Sequence, residues 1–239
     1  MNKENILFGI VGLLAGLIIG FMGANSINKS AASQTAATST SAQSGNLPAG
    51  HPDVPGGQTG SQPGMGANAP EVQAAIEEAR KNPDNFEAQM KAAAFYYQIE
   101  RYDGALEFLQ RANKLKPDDY GTIVQLGNTN FDADKYDDAE KWYTQALAKK
   151  PDDVNVRTDL GLTYMFRNPP DYDRAIKEFK ASLEKEPNHA QTLQNLTVAY
   201  TKKGDAANAS ATLAKLEGME PSNPALPKLR DEVNQLKTK

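Results

Sequence analysis

The sequence predicts an all-α fold, an α-solenoid of about four helix-turn-helix repeats. Two observations predict it: prolines recur at intervals of 34, 34, 36 and 34 residues, and an alanine stands at the equivalent place within each unit. The prolines are Pro83, Pro117, Pro151, Pro187 and Pro221, and the alanines are Ala105, Ala139, Ala175 and Ala209. The chain contains no cysteine. The packing of neighbouring repeats, rather than disulfide bonds, must therefore stabilise such a fold.

The period divides the C-terminal part of the chain into consecutive units. Full repeats are predicted at 86–119, 120–153, 154–189 and 190–223, with an N-terminal half-repeat helix at 70–85 and a C-terminal capping helix at 224–239. The third repeat is two residues longer than the others. We assign the excess to the Asn-Pro-Pro-Asp segment at 168–171, because a residue before proline is disfavoured in the α conformation. The turn inside this repeat is expected to protrude.

Small and aromatic residues recur at fixed places in the first helix of each repeat. The small residues are Ala93, Gly127 and Gly161, and the aromatic residues three positions later are Tyr96, Tyr164 and Tyr200. Asn130 and Thr197 depart from the pattern. With the mid-repeat alanine and the terminal proline, this pattern resembles that of the tetratricopeptide repeat (TPR) family. We expect the small residues to let the two helices of a hairpin approach, and the aromatic residues to fill the space between neighbouring hairpins.

The N-terminal residues 1–24 are predicted to form a transmembrane anchor. Residues 6–22 are seventeen consecutive uncharged residues, of which eleven are Ile, Leu, Val or Phe. Extended by two small residues, this run approaches the roughly 20 residues that cross a bilayer. A cleaved signal peptide is the alternative, although its apolar region would be shorter. The prediction is a single-pass protein of a bacterial inner membrane, with the repeats in the periplasm.

Small residues recur every four positions within this apolar run. Gly12, Gly16, Gly20 and Ala24 share one face of the predicted helix, a spacing that lets two helices pack closely in lipid. We therefore hypothesise a homodimer through this face. The alternative is that glycine is simply common in membrane helices.

Residues 25–69 are predicted to be a disordered linker. The segment consists almost wholly of Ser, Thr, Ala, Gln, Gly, Asn and Pro. Such a composition buries too little apolar surface to offset the conformational entropy of the chain. The repeats would then be tethered to the membrane without a fixed orientation.

The resemblance to TPR proteins implies a concave groove lined by the first helix of each repeat. The groove positions in this sequence are Met90, Ala94, Tyr97, Gln98, Val124, Asn128, Phe131, Asp132, Thr158, Leu162, Met165, Phe166, Gln194, Val198, Thr201 and Lys202. Tyr97, Phe131, Met165 and Phe166 predict an apolar groove that binds a peptide. The alternative is that these side chains pack against the adjacent repeat and leave no receptive surface.

Other ligand and activity classes find little support in the sequence. One TPR variant holds an acidic chaperone tail with Lys, Asn and Arg, but Met90, Ala94, Gln125, Asn155 and Asp159 stand at the corresponding places here. The net charge of −4 and the mixing of acidic with basic residues disfavour nucleic acid. The only two histidines, His51 and His189, are far apart in sequence, and no catalytic or cofactor-binding motif accompanies them. We predict no enzyme activity, no cofactor and no metal.

Two functions remain open at this stage. The first is a membrane-anchored adaptor or chaperone that binds a client polypeptide in the groove. An anchor followed by TPRs is similar in architecture to the TPR subunits of bacterial cytochrome c maturation systems, which implies apocytochrome clients. The second is a scaffold that assembles a membrane-associated complex through convex or lateral surfaces.

Overall fold

The computed structural model describes residues 70–238, which form ten α-helices and no strand. The helices are α1 (Pro70–Lys81), α2 (Phe86–Gln98), α3 (Tyr102–Leu115), α4 (Tyr120–Asp132), α5 (Tyr136–Lys149), α6 (Val154–Phe166), α7 (Tyr172–Lys185), α8 (Ala190–Lys203), α9 (Ala206–Met219) and α10 (Leu226–Lys237). The prediction of an all-α fold is confirmed for this part of the chain.

Several sequence predictions concern residues that the structure does not describe. They are the membrane anchor at 1–24 with its glycine face, and the linker at 25–69. Within 70–238, none of the helices combines the length and the apolar character needed to cross a bilayer. The described residues divide into two compact units, 70–187 and 188–238.

The first unit consists of α1 followed by three helical hairpins. The hairpins are α2–α3, α4–α5 and α6–α7, and each packs against the next along the chain. Asn85, Asp119 and Asp153 precede the first helix of each hairpin. Their side-chain oxygens accept backbone N–H groups of Ala88, Thr122 and Val156 at 3.1, 2.8 and 3.0 Å. The polar residue two positions after each repeat-ending proline therefore starts the next helix by capping its free N–H groups.

Small residues and ring-bearing residues pair across the hairpins of the first unit. A Cβ atom added to Gly127 would lie 2.6 Å from the ring of Tyr143, and one added to Gly161 would lie 2.7 Å from Cδ1 of Phe179. Both distances are too short for a real side chain. The glycines are thus required because the facing residue of the second helix is aromatic.

Tyr96 in the first repeat does not fill the space between neighbouring hairpins, as we expected of the recurring aromatic residues. Tyr96 stacks on Phe108 of its own hairpin with ring centroids 5.6 Å apart, and its ring also covers Gly104. It therefore packs within the hairpin, because Gly104 in α3 leaves room for a ring there. Tyr164 of the third repeat does reach the preceding hairpin, since its hydroxyl donates to Glu140 Oε1 in α5 at 3.2 Å.

The turns inside the repeats use one backbone conformation in two of the three hairpins of this unit. Glu100 and Asp134 occupy equivalent positions and have φ angles of 58° and 57°, in the left-handed region. The third hairpin replaces this turn with the Asn-Pro-Pro insertion, whose three residues are exposed. Asp171 then caps α7, and its carboxylate accepts the backbone N–H of Arg174 at 3.0 Å.

The second unit contains one hairpin, α8–α9, and the helix α10, which packs against both. Its apolar core is formed by Leu193, Leu196, Leu213, Leu216, Leu226, Leu229 and Val233. Gly204 ends α8 with a φ of 86°, so glycine here occupies the left-handed position that Glu100 and Asp134 occupy in the first unit. Since glycine has no Cβ atom, it adopts this conformation at little cost.

Candidate functional site

The first helices of the three hairpins in the first unit are joined by side chains, and we call α2, α4 and α6 the first-helix layer. Thr122 Oγ1 in α4 lies 3.5 Å from Met90 Sδ in α2, and the hydroxyl of Tyr97 donates to Asp132. Helices α4 and α6 are also in direct contact. The layer therefore presents residues from three successive repeats on one continuous surface.

A tyrosine–carboxylate pair connects the first two hairpins. Burial, with Asp132 next to it, raises the pKa of Tyr97 far above its usual value. Burial also raises the pKa of Asp132, although the hydrogen bond from Tyr97 opposes this effect. Tyr97 is further supported by Tyr102, whose ring centroid lies 5.7 Å from its own. The hydrogen bond occupies part of Asp132, and the carboxyl keeps further acceptor capacity.

Asn128 is committed to its own hairpin rather than presented to solvent. Tyr143 of α5 is 1% exposed, and its hydroxyl donates to Asn128 Oδ1 at 2.8 Å. The same ring fills the space above Gly127. Asn128 therefore fixes a buried tyrosine, and its role as a groove residue stays a prediction.

Asp159 is the unusual residue of the layer. It lies on α6 with 9% of its surface exposed, between Thr158 and Thr163, which are also buried. Both threonines satisfy their hydroxyls by donating to the carbonyl four residues earlier, at 2.8 and 2.9 Å. Among the described residues, no hydrogen bond or ion pair reaches the carboxyl of Asp159. Burial, reinforced by Asp132 and then Asp153, raises its pKa to about 8.

The carboxyl of Asp159 nevertheless keeps contact with solvent. In the described part of the chain, the sealed side-chain atoms without a hydrogen-bond partner are Gln89 Oε1, Asn113 Oδ1 and Asn195 Nδ2. The oxygens of Asp159 are not among them, so they are unpaired but accessible. The carboxyl therefore lies at the edge of the buried region and keeps a small contact with solvent.

Aromatic side chains form a second feature of the layer. The ring of Phe131 in α4 meets the ring of Phe166 in α6 edge to face at 5.9 Å, and it meets Tyr136 in the same way at 5.5 Å. We call Phe131, Tyr136 and Phe166 the aromatic cluster. All three residues are half-buried, so part of each ring remains accessible.

The predicted groove residues of the first unit lie at different depths. Val124, Asn128, Thr158 and Met165 are buried, Gln98 is exposed, and Met90, Ala94, Tyr97, Phe131, Asp132, Leu162 and Phe166 are half-buried. The buried members can support a binding surface but offer little contact area themselves. Met165, at 8% exposure, contributes mainly to packing.

The four remaining groove predictions fall in the second unit, on α8. Val198 is buried, Gln194 and Thr201 are half-buried, and Lys202 is exposed. The hydroxyl of Thr201 donates to the Thr197 carbonyl at 2.8 Å. The role of these residues in binding stays a prediction.

Sequence reasoning did not identify Asp159 and Tyr143 as site residues. The sequence indicated only that Asp159 disfavours an acidic ligand. Its burial could not be predicted, because it depends on how three helices pack. A signal for Tyr143 did exist, since Gly127 with an aromatic residue sixteen positions later is repeated by Gly161 and Phe179 with eighteen, the difference being the two inserted residues.

Comparison with known families identifies the repeat. Two family models described as tetratricopeptide repeat match the chain, one over residues 69–120 and the other over residues 171–231. The chain contains TPR repeats. The proline and alanine periodicity, the small residue opposite a large one and the paired helices are thus properties of one repeat type.

Several solved structures are similar to this chain. A MamA crystal structure has 23% sequence identity and a TM-score of 0.57, covering 63% of this chain and 81% of that one. MamA 41-end from Desulfovibrio magneticus RS-1 has 19% identity and a TM-score of 0.58, covering 64% and 85%. YrrB, a TPR protein with an unusual peptide-binding site, has 19% identity and a TM-score of 0.57, covering 70% and 82%. These similarities establish the fold, and a comparison with curated proteins finds no match.

Proposed function

We propose that this TPR protein is an adaptor that binds an extended polypeptide segment on its first-helix layer. TPR domains are protein–protein interaction modules, and the chain is built of such repeats. The similar fold of YrrB, which has a peptide-binding site, supports a peptide as the class of ligand. A stack of repeats offers an extended surface suited to an extended chain.

The aromatic cluster is the observation that carries this proposal. Phe131 and Phe166 come from successive repeats and touch edge to face at 5.9 Å, while each ring stays partly accessible. Large aromatic side chains at accessible sites supply most of the binding free energy in many interfaces, because they bury area with little loss of conformational entropy. An apolar side chain of the client would pack against these two rings.

The proposal is tested with peptides selected on the full-length chain in detergent from a randomised display library. The double substitution Phe131→Ser and Phe166→Ser should weaken binding of the selected peptides by about tenfold or more, since removing an anchor residue costs roughly 2 kcal/mol. Fluorescence anisotropy measures the affinity, and circular dichroism checks that the helicity is kept.

Leu115→Ser provides the matched control. Leu115 ends α3 and is 36% exposed, so the substitution also removes a large apolar side chain from the surface, but outside the first-helix layer. Its affinity for the selected peptides should equal that of the unaltered chain. Equal binding by the double variant, or failure to select any peptide, would contradict a receptor surface on this layer.

Membrane attachment through residues 6–24 is the second part of the proposal. The uncharged apolar run supports it, and the glycine-rich face supports pairing of two copies in the membrane. A tethered adaptor of this kind would present its client at the membrane, and apocytochrome chains are one client class to test. The chain should stay with membranes after alkaline carbonate extraction, and Gly16→Ile should reduce crosslinked dimer. Release by carbonate would contradict the anchor.

A further inference from the structure

We propose that Asp132 and Asp159 form a receptor for a basic side chain, Arg or Lys, of the polypeptide that the first-helix layer binds. This inference rests on the proposed peptide-binding function and names the chemistry of one residue of the ligand. It concerns two carboxyl groups on adjacent first helices, one of which is more than nine-tenths buried and has no partner among the described residues.

Other enclosed carboxylates of the same unit are paired with arginines, which supports a cation from a ligand as the partner of Asp132 and Asp159. Glu178, with 15% of its side chain exposed, pairs with Arg157 at 2.8 Å. Glu140 receives both Arg167 and Arg174, at 3.2 and 2.9 Å. Within residues 70–187, enclosed glutamates are therefore supplied with arginines, as the cost of burying a charge requires.

Asp132 and Asp159 receive no such cation from the described residues. The groups that interact electrostatically with Asp159 are Asp132 at the end of α4, Asp153 just before α6, Tyr97 from α2, Tyr120 from α4 and Tyr143 from α5. Each of them is either acidic or neutral. A cation that enters from solvent would thus find a negative site without a competing positive group.

A purely structural role for Asp159 does not fit its surroundings. A buried carboxyl that stays for structural reasons donates or accepts a hydrogen bond, whereas the neighbouring threonines already bond their own helix. A metal ion is also a poor fit. Among residues 70–238, no three His, Asp or Glu side chains are grouped in a way that could hold one. A guanidinium or ammonium group needs only one or two carboxylates.

The position of the pair relative to the aromatic cluster defines the ligand further. Asp132 directly follows Phe131, and Phe166 lies two helical turns beyond Asp159 on α6. A peptide that places an apolar side chain on the two rings can therefore place a nearby basic side chain against the two carboxyls. The expected ligand is an extended segment with a basic residue next to a large apolar one.

The experiment uses the display selection on the full-length chain and then compares two forms of each selected peptide. One form carries arginine, and the other carries citrulline, which has the same shape without the charge. The arginine form should bind about tenfold more tightly or better, since a charge-assisted bidentate contact contributes at least ~1.4 kcal/mol. The preference should fall to about twofold in Asp159→Asn and in Asp132→Asn, because one carboxylate of the pair is lost.

Glu184→Gln is the matched control, because it removes one exposed carboxylate from α7, outside the layer. It should keep the full preference for arginine. The preference should also grow as the pH rises through about 8, where Asp159 ionises, and Asp159→Asn should abolish this growth. Circular dichroism confirms folding of each variant, and the arginine–citrulline comparison on the unaltered chain does not depend on any variant.

Each outcome decides between the two proposals. Selected peptides without a basic residue, or an arginine preference that both Asn variants retain, would overturn the basic-residue receptor and leave the peptide-binding function intact. Binding that requires a divalent cation, removed by chelator, would also overturn it. The Phe131 and Phe166 double variant should bind more weakly but keep its preference for arginine in the residual binding. This outcome would support the carboxyl pair as a site distinct from the aromatic cluster.

Discussion

The two helices of the third hairpin, α6 and α7, share one interface but differ in how deeply they are enclosed. Nine of the thirteen residues of α6 are buried, against four of the fourteen residues of α7. The helix α7 buries one stripe, Ala175, Ile176, Phe179 and Ser182, and five of its seven charged residues are exposed. This is the usual amphipathic arrangement of a helix on a core.

The helix α6 has almost no solvent face, yet it is not uniformly apolar. Thr158, Asp159 and Thr163 are all buried on it. The threonines pair with their own helix, and Asp159 does not. In this hairpin the second helix provides apolar packing, whereas the first helix carries polar groups in places where burial makes them costly. A costly polar group is where function is expected.

The largest effect should follow from removing a large side chain of a second helix. Phe179 is fully buried and its ring lies over Gly161. Phe179→Ala would leave a cavity and is expected to lower the free energy of unfolding by about 3–5 kcal/mol. Urea denaturation followed by circular dichroism measures it. Leu115→Ala in α3, at a residue 36% exposed, should change stability by less than about 0.5 kcal/mol.

A double-mutant cycle tests whether stability depends on pairing a small residue in the first helix with a large one in the second, and not on the aromatic ring alone. The first repeat has Ala93 and Leu109 at the places of Gly161 and Phe179. Gly161→Ala alone should cost about 1–3 kcal/mol by overpacking. Combined with Phe179→Leu it should cost less than the sum of the two single changes, since the pair of the first repeat is restored. Strict additivity would contradict the explanation of the glycines.

The next effect concerns Asp159, whose substitution should raise the free energy of unfolding instead of lowering it. The carboxyl has a pKa near 8 in the folded chain and a usual value of 3.8, so between these values folding takes up a proton. Stability from this group is therefore complete at low pH and is lost as the pH rises toward 8. Above that pH, Asp159→Asn should stabilise the protein by a few kcal/mol, since each unit of raised pKa corresponds to about 1.4 kcal/mol.

The measurement for Asp159 is a set of urea denaturation curves between pH 5 and pH 9 for the Asn variant and the unaltered chain. The two should converge at the acidic end and diverge at the alkaline end. The exposed control Glu184→Gln should change stability little at any of these pH values. A constant difference between Asp159→Asn and the unaltered chain would show that the carboxyl is not buried in the folded state.

The same contrast explains which features were predictable from the sequence. Periodic prolines, alanines and glycines determine the hairpins through local backbone and packing rules, so the all-α repeat fold was predicted. The face of the first helices followed from the family pattern. The depth of individual residues did not, because it depends on contacts with other helices, which a local pattern does not reveal. Asn128 bonds Tyr143 of α5, and Thr158 lies against Ser182 of α7.

The fourth prediction concerns the turns that join first and second helices, where a smaller effect is expected. Glu100 holds a left-handed φ of 58° without the glycine that Gly204 supplies at the same place. Glu100→Gly should therefore raise the free energy of unfolding by about 0.5–1 kcal/mol, since relief of the left-handed strain exceeds the entropy that glycine adds to the unfolded chain.

Asp134 and Gly204 provide the two matched controls for this turn. Asp134 has the same conformation, but its carboxylate accepts the hydroxyl of Tyr136 at 2.6 Å, so Asp134→Gly loses a hydrogen bond and should gain nothing. Gly204→Ala meets no atom within 4 Å, and any loss, about 1 kcal/mol, comes from the backbone alone. Thermal denaturation of the three variants ranks them. If Glu100→Gly lowered the free energy of unfolding, the left-handed turn would not be a strained element of the hairpin. The turn residue would then stabilise the junction between the first and second helix.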